Sequence, residues 1–90
     1  MEYTRSGSDV FLRLDPGDEL HASIQEACIS EGISGAAVTS GIGRVRNTDI
    51  GFLADSGIYN RIILDEPAEL LSMQGNVALL DGKPFTHLHI

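Results

Sequence analysis

Hydrophobic and polar positions alternate in short runs along most of the chain, and only one segment departs from that rhythm. Val10, Leu12 and Leu14 alternate with Phe11 and Arg13 in the manner of a strand with one buried face. Leu20, Ile24, Ala27 and Cys28 then recur at helical spacing. Asp15-Pro16-Gly17-Asp18 precedes them and predicts the helix start, with Asp15 as cap and Pro16 in the first turn. Glu31-Gly32 predicts the end, with Gly32 as the left-handed terminal residue. Extended patterns follow at Ala36–Ser40, at Ile50, Phe52 and Ala54, and over Ile58–Leu64. Leu70–Leu80 reads as one long strand, bent or bulged at Gly75-Asn76, since a glycine inside a strand marks a bulge or a close approach. Asp81-Gly82-Lys83-Pro84 is a hairpin turn leading into a last strand, Phe85–Ile90. One helix among strands joined by tight turns predicts an α+β fold, a mainly antiparallel sheet packed against that helix.

Ninety residues make a single domain, here assigned to residues 10–90, with residues 1–9 a flexible lead-in. A core this small leaves stability dependent on a metal or partner subunits. Thirteen acidic residues against six basic ones give a net charge of −7, which opposes non-specific binding to nucleic acid. Cys28 has no cysteine partner and falls on the helix's apolar stripe, so it reads as a small buried apolar residue. No apolar run approaches the length of a membrane span, no signal peptide opens the chain, and the expected compartment is the reducing cytoplasm.

His87-Leu88-His89 is the sharpest chemical feature. Alternate residues of a strand face the same way about 6.6 Å apart, so both imidazoles can converge on one divalent cation. Neutral imidazole suits zinc, although two ligands alone do not complete a site. The competing reading makes them two ordinary histidines packed beside Phe85. His21, near the helix start, reads as a surface residue, since no spacing aims it at the last strand. Gly41-Ile42-Gly43 precedes Arg44 and Arg46, which makes these arginines a candidate anion or DNA contact. The alternative is a tight turn with both arginines in solvent or at a subunit interface, and the third glycine of a dinucleotide fingerprint is missing. Glu66 and Glu69 bracket a solvated turn and do not form an acid/base pair.

Taken in order, Asp15-Pro16-Gly17, Ser40-Gly41-Ile42-Gly43, Gly75-Asn76 and Asp81-Gly82-Lys83-Pro84 before His87-Leu88-His89 give the chain a resemblance to the plant-and-prokaryote conserved domain, PPC or PCC. The resemblance spans residues 10–90 and implies a sheet packed on one or two helices, assembled as a homotrimer and similar in fold to acetolactate decarboxylase, a zinc enzyme. It implies a zinc site in which the paired histidines, here His87 and His89, are joined by a third from a later Gly-Gly-His segment. That segment and the strands around it do not occur before Ile90, so the domain is read as cut short at its C-terminal end. In plants the domain is fused to AT-hooks that bind DNA, but no AT-hook core occurs here.

The expected function is therefore a PPC-type oligomeric domain that binds a divalent metal, zinc, through His87 and His89, with its activity open. One alternative is a DNA-associated regulatory or scaffold module acting through trimerisation and partners, with Arg44, Arg46 and Arg61 as its phosphate contacts. Another is a zinc-dependent enzyme acting on a small molecule, for which no general base is identifiable.

Overall fold

The computed structural model describes residues 1–90 as nine strands and one helix. Strands β1 (Glu2–Ser6) and β2 (Asp9–Arg13) form a hairpin, followed by helix α1 (Leu20–Glu31). Then come β3 (Ala36–Val38), β4 (Gly43–Val45), β5 (Asp49–Leu53), β6 (Tyr59–Ile63), β7 (Ala68–Leu70), β8 (Gln74–Leu80) and β9 (Lys83–His89). Every ladder is antiparallel: β3-β8-β9 form a three-stranded sheet, and β1-β2, β4-β7 and β5-β6 pair in twos. This is the α+β arrangement expected, with its strands divided among four small sheets. The helix is too short and too polar to cross a membrane.

Residues 1–9 are not a flexible lead-in, because Glu2–Ser6 pair residue for residue with β2. Their polar composition suits an exposed strand that is tied to the helix end. Arg5 Nη1 donates to the Glu31 carbonyl at 3.1 Å, where the terminal carbonyls of a helix lack partners. The helix also begins later than its first signals suggest. Glu19 is the N-cap, its carboxylate accepting from the Ala22 N–H at 2.6 Å. Asp15 and Asp18 instead close a turn, with Asp18 N–H donating to Asp15 O at 3.0 Å and Asp15 N–H to Asp18 Oδ2 at 2.8 Å. Both carboxylates also meet the Met1 amino group, whose hydrogen bond holds Asp18 below the ordinary carboxylate value. At the far end Gly32 is left-handed, with φ 66°, and Ile33 N–H bonds the Cys28 carbonyl.

Leu70–Leu80 is two strands, not one. Met73 turns its side chain into the core against Gly41, which breaks the run and lets Leu70 pair with Gly43 in a separate ladder. Beyond the break β8 pairs with β9 without a bulge over seven residue pairs.

The core is small. Ile24, Cys28, Met73 and Val77 form its centre, with Leu12, Leu20, Ile33, Val38, Leu70 and Leu88 packed around them. Helix α1 thus covers one face of the β8-β9 hairpin, and residues of β9 with the opposite parity, His87 and His89 included, face away from it.

Burial of Cys28 raises its thiol above the ordinary value of 9.0. Its proton is therefore lost more readily from the unfolded chain, and stability should fall as pH rises past 9.0. In the folded protein Cys28 should react with Ellman's reagent more than about tenfold more slowly than in guanidinium. Equal rates in the two states would contradict its burial.

Candidate metal centre

Asp81 and Gly82 both have positive φ, 52° and 77°, the conformation of a two-residue hairpin turn matched to the twist of its strands. Because the turn pairs Leu80 with Lys83, the ladder sets Asn76 opposite His87 and Gln74 opposite His89. These four side chains share the sheet face that α1 leaves open.

On that face the two imidazoles converge. His87 Nε2 and His89 Nε2 lie 2.9 Å apart, and the ring centroids are 4.9 Å apart at an interplanar angle of 34°. At this separation one neutral ring donates its Nε2–H to the bare Nε2 of the other. A metal would take both lone pairs, with the donating ring moving its proton to Nδ1. The two nitrogens would have to part slightly to hold one zinc ion between them. Both rings are solvent-exposed and free to make that adjustment, so the pair fits the cation its chemistry suggests. No third histidine, cysteine or carboxylate joins them.

The opposite face of β9 holds the pair in place. Thr86, between Phe85 and His87, is buried against the helix. Gln25 Nε2 donates to its hydroxyl at 3.3 Å, and the hydroxyl lies 2.5 Å from His21 Nδ1. Donation from Thr86 to a neutral His21 satisfies all three groups. His21 thus ties α1 to β9 from the face opposite the histidine pair, a contact its sequence position does not reveal.

Gly75 allows the backbones to meet at the site. A Cβ on Gly75 would collide with the carbonyl oxygen of His87 and crowd Leu88 Cα, 3.0 Å away. The bulge expected at Gly75-Asn76 is absent, since the ladder runs through it one residue to one; the glycine instead permits a close approach, which falls at the first histidine.

The arginines lie elsewhere. Arg44 is on β4 directly opposite Glu69 of β7, and Arg46 follows the end of β4, both exposed and outside the ladder that carries the histidines. Arg61 donates through Nε to Asp49 Oδ1 at 3.1 Å and through Nη2 to the other oxygen. That bidentate pair raises the guanidinium pKa and cancels the charge a phosphate would need. Glu66 lies in the bend before β7.

Comparison with known proteins relates the chain to one family. The sequence model of the Plants and Prokaryotes Conserved (PCC) domain matches residues 1–90. A metal-containing protein of Archaeoglobus fulgidus, solved by X-ray crystallography, is 41% identical with a TM-score of 0.78 over 86% of this chain and 55% of its own. A plant- and prokaryote-conserved (PPC) protein of Pyrococcus horikoshii is 36% identical with a TM-score of 0.80, over 97% of this chain and 60% of its own. The chain thus spans little more than half the length of these solved structures. No curated protein matches it.

Gly75→Ala should lower stability by about 1–3 kcal/mol in urea unfolding, because β8 must move away from His87. Gly35→Ala is the control, since its Cβ would meet only the Val77 carbonyl oxygen at an ordinary 3.8 Å. Equal effects of the two would show that the approach at His87 does not constrain the ladder.

Proposed function

The chain belongs to the Plants and Prokaryotes Conserved domain family, and we propose that it is an oligomeric domain holding a divalent metal, zinc in the first place, through His87 and His89. The observation that carries the reading is the 2.9 Å approach of the two Nε2 atoms on an open sheet face. The metal-containing relative from Archaeoglobus fulgidus, which this chain matches at 41% identity, supports it. Bound with open positions, such an ion polarises an oxygen ligand and makes bound water acidic enough to react near neutral pH.

The chain's own residues account for the rest of the centre. Strand alternation presents the two rings, Gly75 lets the adjacent strand close on His87, and Thr86 locks the strand to α1 through His21 and Gln25. Two imidazoles leave a cation at least two coordination positions short, to be filled by water, a ligand group or a side chain of another subunit. No carboxylate or further histidine stands beside the pair to act as a base, so the reading is of metal binding and not of a named reaction.

Assembly is the second half of the proposal. Phe52, Leu53, Tyr59, Ile62 and Ile63 are all more than half exposed on β5 and β6, which pair only with each other. A two-stranded hairpin is marginal alone in water, and this one carries large apolar side chains on both faces. Association of copies would cover that surface, and the family resemblance supports a trimer.

Elemental analysis of the purified protein should find about one zinc or similar ion per chain, or a simple fraction if subunits share it, and His87→Ala should lose it. No metal in the wild-type protein after incubation with zinc would overturn the metal reading. Light scattering on a sizing column should give three times the 9.7 kDa chain mass, and Ile62→Lys should lower it. A wild-type mass of one chain would overturn the assembly reading.

A further inference from the structure

Beside His89 the surface carries a shallow, open depression lined by Val38, Thr39, Gln74, Gly75, Asn76 and His89. Its lining is distinct from the rest of the exposed surface. The chain has thirteen acidic residues and a net charge of −7, yet no carboxylate, lysine or arginine lines this groove. Large apolar side chains lie exposed on β5 and β6, whereas Val38 is the one large apolar residue here. In their place stand two carboxamides and a hydroxyl. None of Thr39, Gln74 and Asn76 spends its side chain on a hydrogen bond within the chain. The two amides lie directly across the ladder from the two histidines, at a distance where cross-strand side chains act on one ligand.

We propose that Asn76, Gln74 and Thr39 form a recognition site for a small carboxylate that binds beside the metal. The inference rests on the metal reading above. A carboxylate offers two oxygens, of which one suits a cation and the other accepts from the amide N–H groups of Asn76 and Gln74 and the hydroxyl of Thr39. The groove has no fixed cation, so the metal supplies the charge that attracts the anion, and the amides supply orientation. The absence of acidic side chains from the lining removes local repulsion that the protein's overall charge would otherwise bring.

The test uses the full chain loaded with cobalt(II), whose visible spectrum reports its ligands, titrated with acetate and with pyruvate. Metal binding is measured separately by calorimetry with zinc. Wild-type protein should bind zinc and show a saturable spectral change with carboxylate. Asn76→Leu and Gln74→Met should bind zinc within about threefold of wild type and lose about tenfold or more in carboxylate affinity. Asn76→Asp, which keeps the shape and adds a negative charge, should abolish the carboxylate response while still binding metal. A wild-type protein that binds zinc and shows no carboxylate response would overturn this inference alone. So would amide variants that bind carboxylate as wild type does. Failure of wild-type protein to bind zinc would end the metal reading and this inference with it, and calorimetry shows which has failed.

Discussion

Side chains alternate along a strand, so a register error of one residue would carry every group on β9 to the other face. The register is set by Asp81 and Gly82, whose positive φ values make a turn that joins Leu80 directly to Lys83. From that pairing the rest of the molecule follows. Val77 and Thr86 come together under the helix, and Leu88 reaches the core. Asn76 and Gln74 arrive opposite His87 and His89 on the other side. One turn thus divides the hairpin into a face that folds the protein and a face that is free for chemistry.

Coupling between the two faces runs through single residues. Thr86 is buried and bonded to His21 and Gln25, while the next residue carries an exposed imidazole. Any motion of β9 against α1 therefore moves His87, and the helix is part of the site's support although it contributes nothing to its surface. Gly75 acts in the other direction, through the backbone. A side chain there is excluded by the His87 carbonyl, so the glycine holds β8 where the amides of the open face can reach the histidine side. Only seven of the 90 residues are buried, which explains why such individual contacts matter: few others are available to hold the strands.

Much of this was legible in the sequence because the signals were local. The stripe Leu20, Ile24, Ala27, Cys28 named the helix and its buried face, and Gly32 its end. The Asp81-Gly82 pair and the His-Leu-His alternation gave the hairpin and the side on which the imidazoles lie. What escaped depended on distant partners. Glu2–Ser6 become a strand because β2 and the end of α1 offer hydrogen bonds to a polar segment. Asp15 and Asp18 do not cap α1 because each other and the Met1 amino group compete for them. The break before β8 depends on Met73 filling the core beside Gly41, a packing event with no local mark. The amides opposite the histidines were accessible by counting back from the turn, since a two-residue loop fixes every pair in the ladder. His21 was not, because nothing in a helix pattern shows which strand its face will meet.

An exposed pair of histidines has little value as structure. Neither ring is buried, and a single neutral hydrogen bond between exposed groups adds little to stability. The surrounding surface is equally poor in folding energy, since its amides and hydroxyl bond nothing within the chain. Yet it is held by the best-supported ladder in the molecule, seven pairs long and locked to the helix from behind. A rigid frame beneath a set of unspent polar groups suits ligand binding, because the backbone positions of the donors are fixed before the ligand arrives. The strands fix where these groups start, so that only their side-chain rotamers remain to be ordered when a ligand binds.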